Sequence, residues 1–237
     1  MSFVSAIIVA GGKGQRMKAS VPKQFLSIDG KPVLYLTLYA FNLADEIDEI
    51  IVVLPENYIS WFQSDILDKE KWSKKIILVN GDKERQGSVK NGLDKISPES
   101  EIVLVHDGVR PFVRNKDISN LICECLDSDG VIPCISISET VKKVDTDGFV
   151  LQTISRENLF LSQTPQAFKT KILKEAHEKG TKLGIEVSDD AMLLEELGYK
   201  VKMIEGSRAN IKITIPEDLD FALKLYKSGI SVQLKKN

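Results

Sequence analysis

Short apolar runs rich in β-branched residues recur along this chain with helix-length stretches between them, and that alternation constrains the fold more than any other feature. The runs cover residues 4–9, 47–54, 75–79, 101–105, 130–135 and 200–204. Strands separated by helices belong to a parallel sheet. Ala6-Ile7-Ile8-Val9 and Ile50-Ile51-Val52-Val53-Leu54 are apolar throughout rather than alternately, which is the pattern of strands covered on both faces. Helical patterns fall over 32–43, 56–68, 87–95, 115–127, 169–179, 189–197 and 216–226. The last opens with Pro216-Glu217-Asp218, a proline and two acids in a first turn whose dipole favours negative charge. One segment breaks the rhythm: residues 140–154 read as two strands joined by the turn Asp145-Thr146-Asp147-Gly148. The expectation is an α/β fold in a single domain over 1–237. A Rossmann-like, mostly parallel sheet carries helices on both faces, and a β-hairpin arm is inserted over 139–155.

Composition narrows the function. Lys plus Arg number 32 against 34 for Asp plus Glu, so no basic excess points to a nucleic-acid partner. The thiols Cys123, Cys125 and Cys134 lack a metal-ligand spacing and read as reduced, buried residues. The opening residues carry no charged leader, and no apolar run approaches the ~20 residues of a bilayer span. A cytoplasmic, soluble protein is expected.

Chemistry concentrates after the first strand. In Ala10-Gly11-Gly12-Lys13-Gly14-Gln15-Arg16 the small residues leave room for backbone N–H groups to wrap a phosphate, and Lys13 and Arg16 bring cations to the same place. The pattern is neither a P-loop nor a dinucleotide fingerprint. Pro22-Lys23-Gln24 adds a third cation at the end of the loop. Downstream, His106-Asp107-Gly108-Val109-Arg110-Pro111 follows a buried strand, where open α/β sheets bind ligands. Asp107 suits a Mg²⁺ ion, a substrate hydroxyl or the cap of its own turn, whereas His106 reads as a core histidine without a chemical role.

Taken in order, Ala10-Gly11-Gly12-x-Gly14-x-Arg16-Met17, Pro22-Lys23-Gln24, Gly81-Asp82-x-x-Arg85-x-x-Ser88-Val89, His106-Asp107-Gly108-x-Arg110-Pro111, Thr140-x-Lys142, Gln163-Thr164-Pro165-Gln166 and Asn210-Ile211-Lys212 resemble the 2-C-methyl-D-erythritol 4-phosphate cytidylyltransferases. The Gly-Gly of Ala10-Gly11-Gly12 stands where many members have Ala-Gly. The resemblance implies transfer of CMP from CTP to that alditol phosphate with release of pyrophosphate, a step of isoprenoid synthesis, with Mg²⁺ or another divalent cation. Arg16, Lys23, Arg156 and Lys212 would be the catalytic cations. Ala10, Gly11, Gly12, Gly14, Gly81, Asp82 and Ser88 would hold the nucleotide. Asp107, Arg110, Thr140, Thr164 and Ser188 would line the acceptor pocket, with Asp107 a candidate metal ligand. The arm would exchange between the subunits of a homodimer and bring Arg156 to the partner's site. A ribitol-5-phosphate cytidylyltransferase and a nucleotide-binding regulatory module without turnover are the alternatives.

Overall fold

The structure is a computed structural model that describes residues 2–12 and 21–229. Its centre is a twisted sheet built outward from β1 (Phe3–Val9). On one side of β1 lie β4 (Glu49–Leu54) and then β5 (Lys75–Asn80), and on the other lies β6 (Ser100–Asp107); all these pairings are parallel. The chain therefore runs from β1 to one edge and returns to the opposite side of β1. That reversal opens a crevice between the carboxyl ends of β1 and β6.

Beyond β6 the sheet changes character. β11 (Gln166–Lys169) pairs antiparallel with both β6 and β7 (Gly130–Ser136), β10 (Phe160–Ser162) continues along β7, and β12 (Val201–Glu205) closes the edge parallel to β7. The sheet is mostly parallel, with β10 and β11 running against it. A small ribbon of β2 (Ser27–Ile28) and β3 (Lys31–Pro32) stands apart. So does the predicted hairpin, β8 (Val141–Val144) with β9 (Val150–Ile154), whose register runs from Val141↔Ile154 to Val144↔Val150.

Strand periodicity explains the layers. Ala6, Ile8, Ile50, Val52 and Leu54 enter one core with α1 (Val33–Asn42), α2 (Glu56–Phe62) and α4 (Asn115–Cys125). Ile7, Ile51, Val53, Val103 and Val105 point the other way. They pack with α3 (Arg85–Leu93), α5 (Thr170–Leu183) and α6 (Asp190–Glu196). Continuous apolar strands are thus the consequence of helices on both faces. α7 (Pro216–Ser228) packs outside α1 through Ala222, Leu225 and Tyr226. Among the described residues, no helix is long and apolar enough to cross a membrane.

Candidate active site

A cleft of about 640 Å³ opens at the reversal point, lined by the exit of β1, the turn before α3, the end of β6 and the segment leading to α7. Its floor is the Ala10-Gly11-Gly12 turn. An added Cβ on Gly81 would stand 3.1 Å from the Gly11 Cα, so a side chain there would push the ends of β1 and β5 slightly apart. Gln24, buried in the 3₁₀ turn Lys23–Phe25, fixes the same floor from above: its Nε2 donates to the Ala10 carbonyl at 2.6 Å and the Gly12 carbonyl at 3.1 Å. Ser88 Oγ accepts from the Asp82 N–H at 2.9 Å, and the Asp82 carboxylate accepts from the Lys83 N–H at 2.6 Å. The Gly81-Asp82 turn is therefore rigid before any ligand enters.

Beside this floor stands Asp107, in register with Val9 across the β1–β6 pair. Its Oδ2 lies 2.8 Å from Lys212 Nζ and 3.6 Å from Arg110 Nε, and its Oδ1 lies 3.4 Å from Arg85 Nε. Burial alone would raise the pKa of Asp107, but Arg85, Lys212 and Arg110 hold the carboxyl well below the usual carboxylate range. Lys212 is placed by the segment before it. Asn210 Nδ2 donates to the Thr164 carbonyl at 2.8 Å, and Arg110 Nη1 donates to the Asn210 carbonyl at 2.8 Å. Gln163 clasps Ser207 through both N–H and C=O. Lys23 lines the same cleft. It lies close enough to help hold Asp218 ionised against burial, while Asp218 accepts from the N–H and hydroxyl of Thr214 and caps α7.

The structure thus gathers Ala10, Gly11, Gly12, Lys23, Asp82, Ser88, Asp107 and Lys212 into one cleft, with Gly81 and Arg110 directly behind its lining. Other expected residues fall elsewhere. Thr164 does not line the cleft: its hydroxyl accepts from the Asp107 N–H at 3.0 Å and meets His106 Nδ1 at 3.1 Å, so it anchors the end of β6. Thr140 and Arg156 are exposed at the base of the arm, where Arg156 donates to the Ser138 carbonyl. Ser188 is exposed beside Met192. Within one chain these three stand outside the cleft. Arg16 and Gly14, with Lys13, lie outside the described residues.

Two further expectations concern Asp107 and His106. The candidate role of Asp107 as a metal ligand is not matched by its surroundings, because its oxygens face three cations rather than further carboxylates. A donor set of that kind fits a carboxylate that organises positive charge, not a resident Mg²⁺. His106 is fully buried against Phe41, with Nε2 on the Arg110 carbonyl at 3.0 Å. Burial pulls its pKa down to about 4, which leaves a neutral ring without a chemical role. Gln24, Arg85 and Asn210 sit inside the motifs of the sequence, yet nothing in a linear pattern showed that each organises a neighbour.

The profile of the family described as 2-C-methyl-D-erythritol 4-phosphate cytidylyltransferase matches residues 4–227. A protein of that name from Clostridium botulinum (strain 657) is 48% identical over 220 residues, covering 92% of this chain and 95% of the relative. Another, from Clostridium perfringens (strain SM101), is 44% identical over 223 residues, covering 94% and 98%. Among solved structures, the 4-diphosphocytidyl-2C-methyl-D-erythritol synthase of Anaerococcus prevotii superposes with a TM-score of 0.84 at 36% identity, covering 95% of this chain and 96% of that one. The 2-C-methyl-D-erythritol 4-phosphate cytidylyltransferase of Thermus thermophilus gives 0.79 at 31%, covering 96% and 100%.

Proposed function

The chain belongs to the 2-C-methyl-D-erythritol 4-phosphate cytidylyltransferase family, and we propose that it carries out that family's reaction in the cleft between β1 and β6. It is a nucleotidyltransferase that moves CMP from CTP to 2-C-methyl-D-erythritol 4-phosphate in isoprenoid synthesis. A phosphate oxygen of the acceptor attacks the α-phosphorus of CTP; the new P–O bond forms as the bond to the β-phosphate bridging oxygen breaks, and pyrophosphate carries away that electron pair. The nucleophile is already an anion, so no side chain has to remove a proton. The neutral, sealed ring of His106 agrees with that demand.

The work of the protein is to hold two polyanions in line and to stabilise charge that builds on the α-phosphoryl oxygens. The observation that carries this reading is the pair of cations, Lys23 and Lys212, lining one cleft with the Ala10-Gly11-Gly12 turn. Lys23, joined by Arg16, serves the triphosphate; Lys212, joined by Arg156, grips the acceptor's phosphate. Gly81, Asp82 and Ser88 frame the cytidine. Mg²⁺, or another divalent cation, would come with CTP and would offset the charge of its phosphates.

Arg156 reaches a cleft by crossing to a second copy of the chain. In support, the arm exposes Phe149, Val150 and Leu151 at 72%, 60% and 58%, and a two-stranded ribbon with so much open apolar surface is marginal alone. The protein is thus a homodimer joined through its arms, working in the cytoplasm without nucleic-acid or membrane partners. The test is CTP-dependent pyrophosphate release over an acceptor panel. Methylerythritol phosphate should be used far better than ribitol 5-phosphate; the reverse order would overturn the assignment of the acceptor.

A further inference from the structure

From Arg85 in the cleft wall a chain of charged groups runs inward, which the transfer itself does not demand. Arg85, in the first turn of α3, meets Asp107 on one side and donates through Nη1 to Asp190 Oδ2 at 2.7 Å on the other. Asp190, in the first turn of α6, is buried, and its Oδ1 lies 3.0 Å from His177 Nε2 on α5. An ionised pair at this depth loses so much hydration that apolar replacements are often as stable. Stability alone gives little reason for it to be here.

Geometry supplies a reason. Lys212 is part-exposed at the cleft, with a long side chain whose ammonium could swing through many positions. What holds it is Asp107 Oδ2, at 2.8 Å. That oxygen stays in place only if the carboxylate does not rotate, and Arg85 holds the other oxygen at 3.4 Å. Arg85 in turn is fixed by Asp190. Both of its contacts to protein carboxylates therefore run inward from the cleft, to Asp107 and to Asp190.

We propose that Arg85 and Asp190 are positioning residues for the transfer, acting through Asp107 to hold the Lys212 ammonium where the acceptor's phosphate docks. The proposal rests on the reading of the cleft as the transfer site. The contact network runs from α6 and α5, which carry none of the cleft lining, to the cleft-lining cation assigned to the acceptor.

The test is the paired substitution Arg85→Met with Asp190→Leu, which removes the clamp without leaving a lone buried charge. CTP affinity should stay within about twofold, while kcat/KM for the acceptor falls about 10-fold or more through a misplaced cation. In a Lys212→Ala background the same pair should cost less than about threefold, because the group it positions is gone. Equal losses with and without Lys212, unchanged kcat/KM, or an equal loss of CTP affinity would each overturn the proposal. Asp190→Asn, read the same way, serves if the pair does not fold. Crystal structures of parent and variant supply a readout apart from activity: the Asp107–Lys212 contact should be lost, and its persistence would also overturn the proposal. A parent enzyme that released no pyrophosphate would count against the function instead.

Discussion

Replacing Gln24 with leucine tests whether the glycine turn is held ready for the triphosphate or shaped only when the nucleotide arrives. Gln24 is 1% exposed, and its amide is the described side chain that reaches both the Ala10 and Gly12 carbonyls. Leucine keeps most of the volume and removes both donors. Gly12 is exposed, so water can satisfy its carbonyl, but Ala10 is buried and its carbonyl loses the bond from Gln24. An orphaned buried acceptor costs about 1–3 kcal/mol. At roughly 2–4 °C per kcal/mol for a chain of this size, Tm should fall by about 2–12 °C. The same energy no longer selects the bound shape of the turn, so CTP should bind about 5- to 100-fold more weakly. Thermal unfolding and calorimetric titration with CTP read the two effects on one sample. Unchanged CTP affinity alongside a lowered Tm would show that Gln24 merely packs the turn, and unchanged values of both would refute the clamp altogether.

Two other perturbations probe the arm and the core. Arg156→Ala and Lys212→Ala should each raise the acceptor's KM and lower kcat/KM while CTP affinity holds, since each removes a charge-assisted contact to the acceptor's phosphate. Mixed after subunit exchange, the two variants should regain activity, because a heterodimer carries one site with both defects and one with neither; exchange without recovery would return Arg156 to its own subunit. For His106, the folded ring titrates at about 4 against 6.5 unfolded, so between those values the unfolded chain binds the extra proton. Stability is therefore full above pH 6.5 and declines toward pH 4, by up to about 3 kcal/mol at 1.4 kcal/mol per pH unit. Urea unfolding from pH 7 to 4.5 measures this, and His106→Asn should flatten the dependence over that range.

Much of the fold was legible because its strands are buried on both faces. Residues 50–54 and 102–105 are apolar without interruption, and each such run became a central strand. The arm was legible from its turn, Asp145 to Gly148, where Asp145 accepts from the N–H groups of Asp147 and Phe149. β10 and β11 were not. They are short, and Pro165 between them can donate no ladder bond, so their polar motif Gln163-Thr164-Pro165-Gln166 gave no strand signal. Within the site, the glycine turn and the cations could be read from composition around a strand end. The buried ties could not, since Arg85 and Asp190 are 105 residues apart and no periodicity relates them. The same holds for two of the partners of Asp107, since Arg85 and Lys212 come from segments far from it in the chain.

The account stands on the claim that catalysis comes from cations placed against the α-phosphate rather than from a proton-transferring side chain. Lys23→Ala, with Arg16→Ala beside it, tests that claim most directly when turnover at saturating CTP and the Kd of CTP are measured together. Turnover should fall about 10²-fold or more, as it does when a donor to a developing oxyanion is removed, with CTP affinity changed far less. Near-normal turnover in both variants at saturating CTP would contradict the account and place the transfer somewhere other than this cleft.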